Sequence, residues 1–259
     1  MKHLKAIYTI WLRDLIRFFR ERNRIIGMLG QPLLYLLIMG NGFSASFRLP
    51  YAPAGFSYLQ FMYPGVIGMS VLFTAVFSAM SIVWDREFGF LKEVLVAPVP
   101  RWTVAIGKTL GGSTVAMIQG AILLILAPFV GVHLSPVAAL EILGILFLIA
   151  FALTSFGITV ASRMETMEGF QMIINFLIMP LFFLSGALFP LRGAAAWMST
   201  LMKIDPLTYG VDALRNVFFG SAYPGAALVQ FPIHLDLLVV AAMALVFVVA
   251  GTAMFNRQV

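Results

Sequence analysis

Asp85-Arg86-Glu87-Phe88-Gly89-Phe90-Leu91-Lys92-Glu93-Val94-Leu95-Val96-Ala97-Pro98-Val99-Pro100-Arg101-Trp102-Thr103-Val104-Ala105-Ile106-Gly107-Lys108 separates two long uncharged windows, 49–84 and 109–140. Seven charges fall inside it. At about 3 kcal/mol for each charge at a helix centre, burying them in hydrocarbon would cost on the order of 20 kcal/mol. The stretch therefore lies in water or against protein, and the windows on either side are left to cross a bilayer.

Working outward, further uncharged windows are 25–47, 142–162, 169–191, 216–235 and 237–256. A helix needs about 20 apolar residues to span the hydrocarbon core. The chain is 61% hydrophobic and 11% charged, whereas a soluble domain carries about 25% charged residues. Lipid must solvate much of the surplus. Window 216–235 is set apart by Pro224, Pro232, Gly220, Gly225, Ser221 and Gln230, which free backbone groups that lipid cannot satisfy. It is placed at the outer surface.

The expected fold is an all-α integral membrane protein, one transmembrane domain over residues 1–259. Six transmembrane helices fall at about 25–44, 59–83, 107–131, 137–161, 169–189 and 235–255, with a cytoplasmic coupling segment at 85–106 and outer-side re-entrant helices at 190–234. Thirteen Lys and Arg residues lie on the side of the termini and four on the other. The positive-inside rule then puts both termini and the 85–106 segment in the cytoplasm of a multi-pass inner-membrane protein. This placement accounts for the net charge of +6 without nucleic acid. The absence of cysteine excludes disulfides and thiolate metal sites.

Residues 1–24 carry Leu4, Ile7, Trp11, Leu15, Phe18 and Phe19 at helical spacing, with Lys5, Arg13, Arg17 and Arg20 between them. This pattern predicts an amphipathic interfacial helix with Trp11 at headgroup depth. It serves as a topology anchor or as a lever on a cytoplasmic partner. Ser44-Ala45-Ser46 resembles a cleavage site, but a basic region of 24 residues is long for a signal peptide.

Within the charged stub, Asp85 can cap a short helix starting at Arg86. Phe88, Leu91 and Leu95 then share a face, and Pro98 and Pro100 stop it. Knobs ringed by charge suit insertion into a groove on another protein, and equally suit a helix folded back on its own domain. Gly107-Lys108-Thr109 ends like a phosphate-binding loop, but Trp102 stands where the pattern needs glycine. Gly107 and Gly111 fit better as small residues for close helix contact.

The run from Asp85 to Leu95, with Ala97-Pro98-Val99, Arg101 and Gly107-Lys108, resembles the coupling region of type-2 ABC exporter permeases. Pro206-Leu207-Thr208-Tyr209-Gly210-Val211-Asp212-Ala213-Leu214-Arg215 resembles a second motif of that family. The resemblance implies a transport subunit that is no enzyme by itself and binds no cofactor. Two copies of the chain, as a homodimer, would pair with two copies of a separate ABC ATPase that binds ATP and Mg. It implies coupling roles for Arg86, Glu87, Phe88, Leu91, Lys92, Glu93 and Leu95.

A pathway between the two copies would be lined by Phe73, Phe77, Met172, Phe176 and Phe182, apolar surfaces suited to an amphipathic or lipid-like substrate leaving the cytoplasm or inner leaflet, and by Asn175, which with Gln171 one turn away suits a bond across helices at least as well. Tyr209, Asp212 and Arg215 would form an outer gate or lid, with Asp212 and Arg215 three residues apart on one face. Glu141 and Asp236 are expected near the outer ends of their spans, within reach of interfacial water. His3, His133 and His234 are too dispersed for a metal site. An ion-coupled secondary transporter and a membrane-embedded enzyme stand as alternatives; the first would want midplane charges and the second a reactive cluster, and neither is evident.

Overall fold

Ser57, Ser135, Thr166 and Asp205 each accept a hydrogen bond from a backbone N–H in the first turn of a helix, as short polar side chains do at N-caps. Ser57 completes a capping box: its Oγ accepts from Gln60 N, and Gln60 Oε1 accepts from Ser57 N. Pro136 and Pro206 occupy first helical positions, where a missing N–H costs nothing.

The computed structural model of the chain describes residues 2–40, 42, 55–88, 100–191, 194–220 and 228–256. Among these there are helices and no strand. They are α1 (Lys2–Arg20), α2 (Arg22–Leu34, continued by a π-helical turn Tyr35–Gly40), α3 (Tyr58–Ser78), α4 (Met80–Glu87), α5 (Arg101–Leu124), α6 (Pro136–Ala161), α7 (Met167–Leu184), α8 (Ala196–Ile204), α9 (Pro206–Phe219) and α10 (Ile233–Asn256). By length and composition, four stretches are long and apolar enough to cross a membrane: Tyr58–Glu87, Pro136–Ala161, Met167–Leu184 and Ile233–Met254. Ile25–Gly40 is a shorter apolar helix, and α5 runs for 24 residues.

α3 sits at the centre, buried on every face from Tyr58 to Leu72 apart from Leu59 and Gln60. It packs against α5, α6 and α9, and α6 in turn packs against α5 and α10. Close approach is made possible by small residues. A Cβ at Gly157 of α6 would lie 2.8 Å from the carbonyl of Val76 in α3. α8 and α9 are two short helices joined at Asp205. α9 is wedged among α3, α6 and α10, so most of its residues are buried.

α1 lies along α5. Ile7, Ile10, Trp11, Asp14 and Phe18 are wholly or partly buried, while Leu4, Tyr8, Ile16 and Phe19 are exposed. The helix therefore seats one edge on its own domain and leaves another apolar edge exposed. Trp11 belongs to the seated edge: its Nε1 donates to Thr114 Oγ1 at 3.0 Å. Gly107 and Gly111 are the small residues that permit this contact. A Cβ there would meet the Ile10 and Asp14 side chains at 2.9 and 2.8 Å.

Asp85 caps no helix. α4 runs through Asp85 to Glu87, with Phe88 at its C-cap. The carboxylate of Asp85 is taken by a cation instead.

Candidate functional site

A charged corner is built from the ends of α1, α4 and α5 and from the α6–α7 turn. Lys108 of α5 is only 6% exposed. Its Nζ lies 3.3 Å from Asp85 Oδ2 and 3.6 Å from Asp14 Oδ1, and donates to Ser81 Oγ at 3.0 Å. Arg13 adds a longer contact to Asp85 at 3.7 Å. A buried ammonium is thus neutralised by two carboxylates from different helices, and α1, α4 and α5 are locked together.

Arg86 and Glu87 turn toward the α6–α7 connection. The Arg86 guanidinium donates to the carbonyls of Met164 and Ser162 at 2.5 and 3.2 Å. Glu87 Oε2 accepts from the N–H of Met167 at 3.1 Å. Phe88 is 62% exposed, its ring 5.1 Å from that of Trp84. Trp84 and Phe88 therefore present an exposed aromatic pair beside the charged corner. Leu91, Lys92, Glu93 and Leu95 lie outside the described residues.

Phe73 and Phe77 stack 6.3 Å apart on α3. Both line a cavity of about 410 Å³ with Gln31, Pro32, Met69, Ser70, Thr74 and Gln119. Phe77 also borders a cavity of about 480 Å³ below α1, walled by Asp14, Arg17, Glu21, Ser81 and Trp84. Met172, Asn175 and Phe176 are exposed on α7. Phe182 is separated from them: it is 2% exposed and meets Tyr35 edge-on.

At the start of α9, Tyr209 donates to the Lys203 carbonyl and stacks on Phe231. Asp212 and Arg215 share a helix, but their hydrogen bonds go to backbone. Asp212 accepts from the N–H groups of Gln230 and Phe231 at 2.9 and 2.8 Å. Arg215 donates to the Gly186 carbonyl at 2.6 Å and lies 4.1 Å over the Phe61 ring. Burial raises Asp212 above the ordinary carboxylate range, against the pull of the Phe231 N–H, Arg215 and the Gln230 N–H. Burial likewise lowers Arg215 to about 10, with Asp212 opposing. Among the described residues, no group of three or more metal-ligating acids or histidines gathers.

Residues 5–219 match the family described as ABC-2 type transporter. The chain belongs to that family. This ABC-2 permease is 30% identical over 223 residues to a "Putative transport permease ycf38" of Cyanophora paradoxa, covering 85% of the chain and 76% of that relative. It is 29% identical over 228 residues to the "Inner membrane transport permease YadH" of Escherichia coli K12, covering 85% and 86%. It is 24% identical over 215 residues to "Nodulation protein J" of Rhizobium leguminosarum bv. trifolii, covering 82% and 80%. The apolar helices and the family together make it an integral membrane protein.

Sequence reasoning about the permease missed Lys108, Trp84 and Gln119 as organising residues. The signal for Lys108 was present: a cation seven residues into a helix, facing Asp85 across the stub and Asp14 on the N-terminal helix. Asp236 is a correction. It is wholly buried and its Oδ1 has no hydrogen-bond partner, while Oδ2 accepts from Asn216 at 3.3 Å. α9 packs against α10, and the carboxyl is buried rather than exposed at a span end.

Proposed function

We propose that this chain is the membrane-spanning subunit of an ATP-driven exporter. Two copies pair and are driven by two copies of a separate ABC ATPase, which binds ATP and Mg. In this reading six helices cross the bilayer: α2 with its π turn, α3 with α4, α5, α6, α7 and α10. Both termini and the 85–106 segment are cytoplasmic. The observation that carries the reading is the charged corner at the end of α4. Its exposed aromatic pair, Trp84 and Phe88, leads directly into the segment matching the family's coupling region.

The cargo would be amphipathic or lipid-like, passing between copies along Phe73, Phe77, Met172, Asn175 and Phe176. Motor closure would shift the population of inward- and outward-opening dimers, since a ligand moves an equilibrium only by its differential affinity for the two states.

The test is Phe88→Ala and Glu93→Ala in the chain expressed with its motor. Both should weaken motor association and ATP-dependent transport. Unchanged association and transport would overturn the reading. A second reading, an ion-coupled carrier, is favoured by the buried Asp212–Asn216–Asp236 set, because buried ionisable groups in membrane proteins often mark proton routes. Transport that survives without ATP and stops when the proton gradient is collapsed would select it.

A further inference from the structure

Arg86 and Glu87 are adjacent in the last turn of α4, and their side chains leave the helix about 100° apart. They straddle one turn. Arg86 reaches the carbonyls of Ser162 and Met164, at and just beyond the C-terminus of α6. Glu87 reaches the N–H of Met167, the first residue of α7. Each charge suits the helix end it touches: carbonyls left without partners carry partial negative charge at a C-terminus, and free N–H groups carry partial positive charge at an N-terminus. Thr166 Oγ1 satisfies Gly169 N at the same end, so Glu87 acts as a second cap on α7 delivered from another helix.

Among the described residues, α7 buries one stripe, Phe170, Ile174, Ile178 and Phe182. Its opposite side, including Met172 and Phe176, is exposed at 74% and 77%. α3, by contrast, is gripped all round. A rod held along one stripe and clamped at one end is the element that a displacement of α4 would swing.

We propose that Arg86 and Glu87 are positioning residues that clamp the α6–α7 turn and pass displacement of the coupling segment to α7. They act on their own chain rather than on the motor's surface. The proposal rests on the exporter reading and names the helix that receives the load.

The test uses the complete transporter, permease and motor together, in liposomes, measuring motor association and cargo moved per ATP hydrolysed. Met167→Pro removes the donor to Glu87 at a first-turn position that tolerates proline, and Thr166 already has the extended backbone (φ −120, ψ 150) that a following proline needs. Met167→Ala loses the same side chain but keeps the N–H. Met167→Pro and Glu87→Ala should each keep motor association and lower cargo per ATP about tenfold, the scale of one charge-assisted hydrogen bond. Met167→Ala should match the parent, Glu87→Gln should stay close to it, and the double variant Glu87→Ala with Met167→Pro should be no worse than either single.

Coupling by Met167→Pro equal to that of Met167→Ala would overturn the clamp, as would loss of motor association in Glu87→Ala. Leu91→Ala separates the two ideas. If it weakens association while Met167→Pro changes nothing, the clamp alone falls. If it also leaves association and transport intact, the exporter reading falls with it.

Discussion

Gln119 Nε2 lies 2.8 Å from the carbonyl oxygen of Met28. Pro32, four residues further along α2, has no N–H to give that carbonyl. In lipid an unpaired carbonyl is costly, and α5 supplies the donor that α2 cannot. The same amide accepts from the Thr74 hydroxyl of α3, so one side chain ties three helices at the wall of the 410 Å³ cavity.

Gln119→Leu should destabilise the permease by about 1–3 kcal/mol, because it strands both the Met28 carbonyl and the Thr74 hydroxyl. Pro32→Ala restores the local helical donor. Thermal unfolding in detergent should therefore show a smaller penalty for Gln119→Leu in the Pro32→Ala background. Equal penalties in both backgrounds would refute the pairing.

Lys108→Ala leaves Asp14 and Asp85 facing each other without the buried cation. The expected cost is about 3 kcal/mol, the low end for breaking a buried pair because both carboxylates keep some access to water. α1 should loosen first, seen as faster trypsin cleavage between α1 and α2. Lys108→Ala with Asp85→Asn should recover part of the loss. An unchanged cleavage rate in the single variant would count against the lock.

Asp205 joins α8 to α9 and caps α9 through Leu207 N at 2.9 Å. Burial raises it from 3.8 to about 7, against that N–H, and its Oδ2 has no partner. The fold prefers the protonated carboxyl, so its contribution is full below the unfolded value of 3.8 and is lost as pH rises through about 7. Asp205→Asn keeps a capping oxygen without the charge. It should melt above the parent near about pH 8, by several degrees, with the gap closing toward about pH 4. A gap that does not change with pH would contradict this.

Arg215→Ala removes the donor to Gly186 and leaves Asp212 buried without its neighbouring positive charge. It should cost about 3 kcal/mol or more. Arg215→Lys should fall between it and the parent, because an ammonium cannot both lie flat on Phe61 and keep the guanidinium's fork of donors. The order of melting temperatures among parent, lysine and alanine variants is the check.

Several of these features can be read directly from residue type. Gly107 and Gly111, one turn apart, announced a close helix contact, and Ile10 and Asp14 fill it. Ser57, Ser135, Thr166 and Asp205 are residue types suited to helix N-caps, but which of the many such residues cap a helix emerged only from the fold. Other readings depended on neighbours that local spacing does not reveal. Asp85 looks like a cap until Lys108 claims it. Asp236 looks interfacial until α9 covers it. Glu87 looks like a motor contact, yet it caps a helix that begins 80 residues later.

Local chemistry determined the class of molecule. Charge is costly in hydrocarbon and proline cannot donate, so the apolar windows and the polar stub between them follow from residue order alone. The tertiary structure decided the pairings: Gln119 with a carbonyl 91 positions away, and Arg86 with one 78 positions away. Those bonds exist only once packing brings distant helix ends within 3 Å or so, and periodicity along a chain carries no information about which ends will meet.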